Sequence, residues 1–161
     1  LPEAGETPQA FALRAARVKA AEVAPLYPAA AVIAADTVVA LADEIMGKPA
    51  DERDAVAMLQ RLAGREHVVC TGCCVHLPGG GEEAFCGTSK VTMRDWPEAA
   101  LRAYAAGGEP LDKAGAYAVQ GQGAFLVERI SGSWTNIVGL PLDELLNVLL
   151  KYEVIRPAHG A

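Results

Sequence analysis

The chain has 161 residues, 52% of them hydrophobic, and carries a formal charge of −6 from twenty acidic and fourteen basic side chains. That length suits one hydrophobic core, and so one domain spanning 1–161, better than two. No run reaches the ~18 to 20 apolar residues of a membrane helix, Leu1–Glu6 lacks the regions of a signal peptide, and no Lys/Arg stripe invites a nucleic acid or membrane surface. The cytoplasm is the expected location, and an anionic ligand would have to be met by local lysines or a metal.

The elements follow in order. Thr7-Pro8 predicts a helix start, with Phe11, Ala15, Val18 and Glu22 at helical spacing and Lys19 carried along, until Pro25 and Pro28 end it. Ala29 to Ala35 is continuously apolar and reads as a strand buried on both faces, with Asp36 where it emerges. Val38–Leu41 and Ile45-Met46 flank a turn at Ala42-Asp43-Glu44. Lys48-Pro49 leads into a helix capped by Asp51, with Ala55, Met58, Leu59 and Leu62 inward and Gly64 as its stop. Two strands, about 67–77 and 83–94, join through Pro78-Gly79-Gly80-Gly81. Pro97 starts a helix ending at Gly107-Gly108. A strand around Phe125–Ile130, a turn at Ser131-Gly132-Ser133, a short strand to Val138 and a helix from Pro141 to about Tyr152 complete an α/β pattern without internal repeats.

Several chemical signatures fail on inspection. Cys70 and Cys73 have the spacing of a zinc knuckle, but within a strand they point to opposite faces and no second pair completes four ligands. Cys70, Cys73, Cys74 and Cys86 therefore read as reduced packing thiols. Gly47-Lys48 is followed by Pro49, which breaks the Walker pattern, and Gly121-Gln122-Gly123 lacks the third glycine of a dinucleotide loop. His67, His76 and His159 fit no triad with a serine or cysteine. Thr71 and Thr92 read as ordinary β-branched strand residues.

Two segments stand out. Leu111–Ala124 sets Asp112, Lys113, Tyr117, Gln120 and Gln122 among glycines, which suits a pocket better than a core. Residues 34–49 deliver Asp36 and Thr37 from a strand, with Lys48 twelve residues beyond the aspartate. Ligands of open α/β sheets gather at the carboxyl ends of strands, where a carboxylate can hold a divalent cation or activate water. A lone aspartate there usually serves a turn or helix cap, and lysines ordinarily stand as solvated surface charges.

Together these segments resemble the Maf family of nucleoside triphosphate pyrophosphatases, and the similarity runs from Gly5-Glu6-Thr7-Pro8 to Leu140-Pro141-Leu142. The resemblance implies a mixed, twisted central sheet flanked by helices, similar to inosine triphosphatases. It also implies a Mg²⁺ or Mn²⁺ cofactor, a homodimer, a house-cleaning role and a septum-related phenotype. By matching motif it assigns Asp36 as proton acceptor for the attacking water and as metal neighbour, Lys19, Lys48 and Lys113 as cations for the phosphates, and Thr37 and Gln120 to substrate choice. At Thr37, Gln120 and Lys113–Tyr117 the chain looks like the branch acting on dTTP and UTP. A primary amide at Gln120 suits uracil or thymine, whose edge sets an N–H donor beside carbonyl acceptors, although it would equally suit capping a loop. The family's first strand and Ser-x-Ser-Pro-Arg-Arg loop have no counterpart in this sequence; Arg14 and Arg17 do not replace them by motif, and Glu3 cannot be assigned as the family's metal-linked glutamate. The expected function is hydrolysis of dTTP and UTP to the monophosphate and diphosphate. The alternatives are a pyrophosphatase for 7-methyl-GTP or another purine triphosphate, and a non-catalytic nucleotide-binding regulator of cell division.

Overall fold

A computed structural model of the chain describes residues 1–158; His159 lies outside the described residues. Helix α1 (Pro8–Val23) starts as expected, with the Thr7 hydroxyl accepting from Ala10 N–H and proline in the first turn. Its packed stripe differs from the predicted one: Ala12, Ala16 and Ala20 are fully buried, whereas Val18 is half exposed. Gly72 supplies the reason. A Cβ there would stand 2.3 Å from the Ala12 carbonyl, so the helix backbone rests almost on the sheet and only alanines fit between.

Strand β1 (Val32–Leu41) is one continuous ten-residue strand. The expected strand 29–35 and the following segment 38–41 are thus parts of a single element displaced along the chain, and Asp36 and Thr37 lie within it, not at an emerging end. Its first half is only partly buried, so the expectation of burial on both faces does not hold there. A turn with left-handed Ala42 and Asp43 leads to β2 (Glu44–Met46). Helix α2 (Glu52–Leu62) is capped by Asp51, which accepts from Asp54 N–H, and buries Ala55, Val56, Leu59 and Leu62, with Met58 at the margin. Strands β3 (Glu66–His76) and β4 (Glu82–Met93) form the central hairpin, followed by helix α3 (Glu98–Ala105).

Beyond α3 the expected strand at 125–130 begins later, as β5 (Val127–Ser131), because Gly121–Leu126 forms a 3-10 turn. The predicted short strand to Val138 is instead helix α4 (Trp134–Val138). The Ser133 hydroxyl caps it by accepting from Asn136 N–H, a local signal that outweighs the β-branched residues Thr135, Ile137 and Val138. Helix α5 (Leu142–Lys151) closes the fold.

The strands make one sheet in the order β2-β1-β3-β4-β5. The α/β class is as expected, but every strand pairing among the described residues is antiparallel, so the sheet is not mixed: β1–β2 and β3–β4 are hairpins, while the α2 connection carries the chain across β1, so that β3 runs in the same sense as β2 without pairing to it. α1 covers one face through Val38, Cys70, Cys74 and Ala34. On the other face α2, α3 and the loops after α3 pack on Val39, Val69, Val91 and Met93, and α5 packs on Cys73 and Val75. Cys70 and Cys73 therefore do face opposite sides, and all four cysteines are free. Among the described residues no helix is long and apolar enough to cross a membrane.

Candidate functional site

On the face away from α1, a cavity of about 570 Å³ opens between β1, β3, the segment after α3 and helix α4. The sheet contributes Thr37, Val39 and Val69, the loop before α2 contributes Lys48, and the segment after α3 contributes Asp112, Lys113, Tyr117 and Gln120. Four of the residues singled out from the sequence, Thr37, Lys48, Lys113 and Gln120, thus meet around one space although they come from two segments some sixty residues apart. Gly115 makes the approach possible. It holds φ +69°, and a Cβ there would stand 2.9 Å from the Val39 side chain, so the Lys113–Tyr117 turn lies directly on β1.

The other two assigned residues lie elsewhere. Side chains alternate across a strand, so Asp36 points to the α1 face while its neighbour Thr37 points into the cavity. There Lys19 Nζ meets Asp36 Oδ1 at 2.6 Å and the Ala35 carbonyl at 3.3 Å. Only the strip of β1 backbone separates this ion pair from Thr37. Because β2 pairs with β1 only at Val39–Leu41, residues Val32–Val38 form an outer edge of the sheet among the described residues.

Beneath the cavity runs a buried polar network that sequence reasoning did not find. Thr37 Oγ1 and Thr71 Oγ1 are 2.8 Å apart, and the Thr71 hydroxyl donates to the Asn136 carbonyl at 2.8 Å. Asn136, fully buried on α4, donates its amide to the Val69 carbonyl at 3.1 Å and to Ser89 Oγ at 3.0 Å. A carbonyl cannot donate, so the single Thr71 proton is committed to Asn136 and Thr37 must be the donor to Thr71. The hydroxyl that Thr37 shows to the cavity is consequently an acceptor. Sequence did hold a signal, the Ser133-x-x-Asn136 cap spacing, but the neighbouring β-branched residues masked it.

Two further ties shape the Gln120 wall. The Glu109 carboxylate accepts from Gln122 N–H at 3.0 Å and Gly123 N–H at 2.8 Å, and the Tyr104 hydroxyl accepts from Ala118 N–H at 3.3 Å. Desolvation works to raise the Glu109 pKa, but the Tyr104 hydroxyl and these two N–H groups outweigh it and hold the carboxyl below its ordinary range. Deeper in, His67 Nε2 lies 2.7 Å from the Tyr117 hydroxyl, and burial depresses the imidazole pKa to about 4. Lys113 pairs with Asp112 at 2.7 Å; that contact holds the Asp112 carboxyl below its usual value, with Lys48 adding to the effect from across the cavity. Thr92 lies on β4 opposite Glu66 and Arg129, away from the cavity.

An antiparallel α/β sheet with a largely apolar cavity on one face, lysines at its rim and an amide in its wall has the form of a small-molecule site, a concave lining with a few convergent polar groups. The chain belongs to the Maf-like protein family, whose model matches residues 1–152. Among its relatives, the dTTP/UTP pyrophosphatase of Nitratidesulfovibrio vulgaris is 59% identical over 150 residues, covering 93% of this chain and 71% of that protein. The dTTP/UTP pyrophosphatase of Oleidesulfovibrio alaskensis is 53% identical, covering 98% and 73%. That of Myxococcus xanthus is 51% identical, covering 92% and 74%.

Proposed function

We propose that this chain hydrolyses dTTP and UTP to the nucleoside monophosphate and pyrophosphate in the cytoplasm. The observation that carries the reading is the meeting of Thr37, Lys48, Lys113 and Gln120 around one cavity, in a chain whose relatives bear that activity by name. The base enters the cavity and meets Thr37 and Gln120. Thr37, held as an acceptor by Thr71, takes the N3–H of uracil or thymine, and the Gln120 amide donates to an adjacent carbonyl. Cytosine offers an acceptor at N3, which would face the Thr37 lone pairs. A guanine edge also sets an N–H beside a carbonyl, so the preference over purines rests on the substrates for which the relatives are named.

The triphosphate crosses the outer edge of β1 toward Asp36 and Lys19, with Lys48 and Lys113 offsetting charge at the cavity rim. Lys19 occupies Asp36 Oδ1 and orients the carboxylate. Asp36 Oδ2 then accepts a proton from water as the water oxygen bonds to the α-phosphorus; the α–β bridging oxygen departs with pyrophosphate. The donor set suits a hard divalent cation only in part: Asp36 belongs to no cluster of three acidic, His or Cys donors among the described residues. One carboxylate, with phosphate oxygens and waters completing the shell, is nevertheless how Mg²⁺ or Mn²⁺ is commonly held. Asp36 would hold it, and the ion would neutralise charge on the phosphates. Assembly as a homodimer belongs to the same proposal and is tested by light scattering.

The test is pyrophosphate release from dTTP, UTP, CTP, GTP and 7-methyl-GTP. Turnover of dTTP and UTP should exceed the others, and Asp36→Asn should lower it by at least about 100-fold with the fold retained. Comparable turnover by the variant would remove Asp36 from the chemistry; faster turnover of 7-methyl-GTP would overturn the base assignment.

A further inference from the structure

A second cluster of ligating side chains lies on the α1 face, remote in character from the cavity and unused by the proposed reaction. Cys74 and His76 of β3 point to the same face two residues apart, and Glu82 of β4 stands directly opposite His76 in the strand register. We propose that Cys74, His76 and Glu82 form a binding site for a borderline-soft divalent ion of the zinc type, separate from any cation that accompanies a nucleotide.

Geometry supports this. The Cys74 Sγ, a His76 ring nitrogen and a Glu82 carboxylate oxygen all lie within 4.8 Å of one another. Ligands on one tetrahedral zinc ion stand about 3.3 to 3.8 Å apart, given bond lengths of about 2.0 to 2.3 Å. His76 Nε2 and Glu82 Oε2, 3.4 Å apart, already have that spacing, so closure asks only that the thiol approach by about 1 Å. Both strands belong to the central hairpin, which fixes the backbone beneath all three.

A second, independent observation points to a ligand. His76 Nε2 is buried and has no hydrogen-bond partner among the described residues, and its approach to Glu82 fails the geometry of a hydrogen bond. An orphaned buried nitrogen is costly, and a metal ion would satisfy it. Arg17 of α1 supplies the outer support, donating from Nε to Glu82 Oε1 at 2.8 Å and leaving Oε2 turned toward His76. His76 and Glu82 are partly open to solvent, which gives an ion its entry and a water its place as fourth ligand.

An ion of this type is held by the Cys74 thiolate, so its binding displaces the thiol proton. On binding, the Cys74 S–H bond breaks, its proton passes to water and a sulfur–metal bond forms, with no change of oxidation state. The preference for a nitrogen and sulfur set separates this ion from Mg²⁺, which takes oxygen ligands.

The experiment uses the full chain, stripped by chelator and kept reduced with a phosphine, titrated with Co²⁺ and then displaced with Zn²⁺. One Co²⁺ per chain is expected, with a thiolate-to-cobalt charge-transfer band in the near ultraviolet that Zn²⁺ removes. Cys74→Ala should abolish the band, and His76→Asn and Glu82→Gln should each weaken binding by at least about 10-fold. Asp36→Asn, Cys70→Ala and Cys73→Ala should leave the band intact, which keeps this outcome distinct from the fate of the nucleotide reading. Zn²⁺ should also raise the thermal midpoint of the parent chain but not of His76→Asn, a surface-accessible change that serves if Cys74→Ala does not fold. No band, a band retained in Cys74→Ala, or one lost only with Cys70 or Cys73, would overturn the site.

Discussion

The two faces of the sheet are built from alternating residues of the same strands, yet they are packed on different plans. On the α1 face the contact is made of small groups, Ala12, Ala16 and Ala20 against Gly72, Cys70 and Cys74, and charges stay at the rim as the pairs Lys19–Asp36 and Arg17–Glu82. On the cavity face Leu59, Leu62, Met93 and Leu126 fill the space, and Thr71, Ser89, Asn136 and His67 are buried among them. The difference bears on where a ligand fits. Backbone resting on backbone leaves no interior room, so α1 can present only edges and rims to a ligand. A layer of large side chains interrupted by a hydrogen-bonded network can surround a base with fixed donors and acceptors.

The sharpest way to break this comparison is at Gly72. Gly72→Val would push a branched side chain into the Ala12 backbone, where neither partner can turn aside, and should cost more than about 3 kcal/mol in urea unfolding. A cost under about 1 kcal/mol would mean that α1 rides freely on the sheet. This is also where the sequence was least readable. Helical periodicity marks large apolar residues, and it selected Phe11 and Val18; alanines packed against a glycine carry almost no such signal.

The candidate site was legible to the extent that its residues are close in sequence. The segments 34–49 and 111–124 contain four residues that the fold gathers at one cavity. What spacing could not yield was the parity of β1. Placing a strand end before Asp36 puts Asp36 and Thr37 in one loop, side by side; a continuous strand sends them to opposite faces. Asn136 was hidden for a similar reason, since its role depends on a five-residue helix that β-branched neighbours disguise as a strand.

His67 tests the dryness of the cavity face. Its folded pKa of about 4 lies below the ordinary 6.5, so between those values the unfolded chain binds the proton that the folded chain refuses. Stability should therefore be fully present above about pH 6.5, fall by about 3 kcal/mol as pH drops to about 4, and level off in this component below that. His67→Gln should flatten that slope in urea midpoints measured from pH 7 to 4. An unchanged slope would show that water reaches the ring.

A smaller effect on stability sharpens the polar half of the comparison. Thr71→Val keeps the shape of the side chain but removes its hydrogen bonds to Thr37 and to the Asn136 carbonyl, which keeps only the Gly139 N–H, at a cost of about 1 to 2 kcal/mol. It also frees the Thr37 proton to point into the cavity. The dTTP-to-CTP ratio of kcat/KM should fall several-fold, with dTTP losing through KM more than kcat. An unaltered ratio would mean that Thr37 does not read the base.

The smallest change is at Glu109, where both carboxylate oxygens are used on the Gln120 wall. In Glu109→Gln one oxygen becomes an NH₂ group, so only one of the Gln122 and Gly123 N–H groups keeps an acceptor and the other faces a donor. These groups are partly exposed, and water can replace the lost partner, so the cost should be about 1 kcal/mol. The same substitution removes a negative charge from the lining that Lys48 and Lys113 share, which favours an anionic ligand. Loosening of the wall should raise KM for every base alike, whereas the lost charge should lower it for every triphosphate. A net change within about threefold, uniform across dTTP, UTP and CTP, is expected from that opposition; a change confined to one base would mean that Glu109 takes part in reading it.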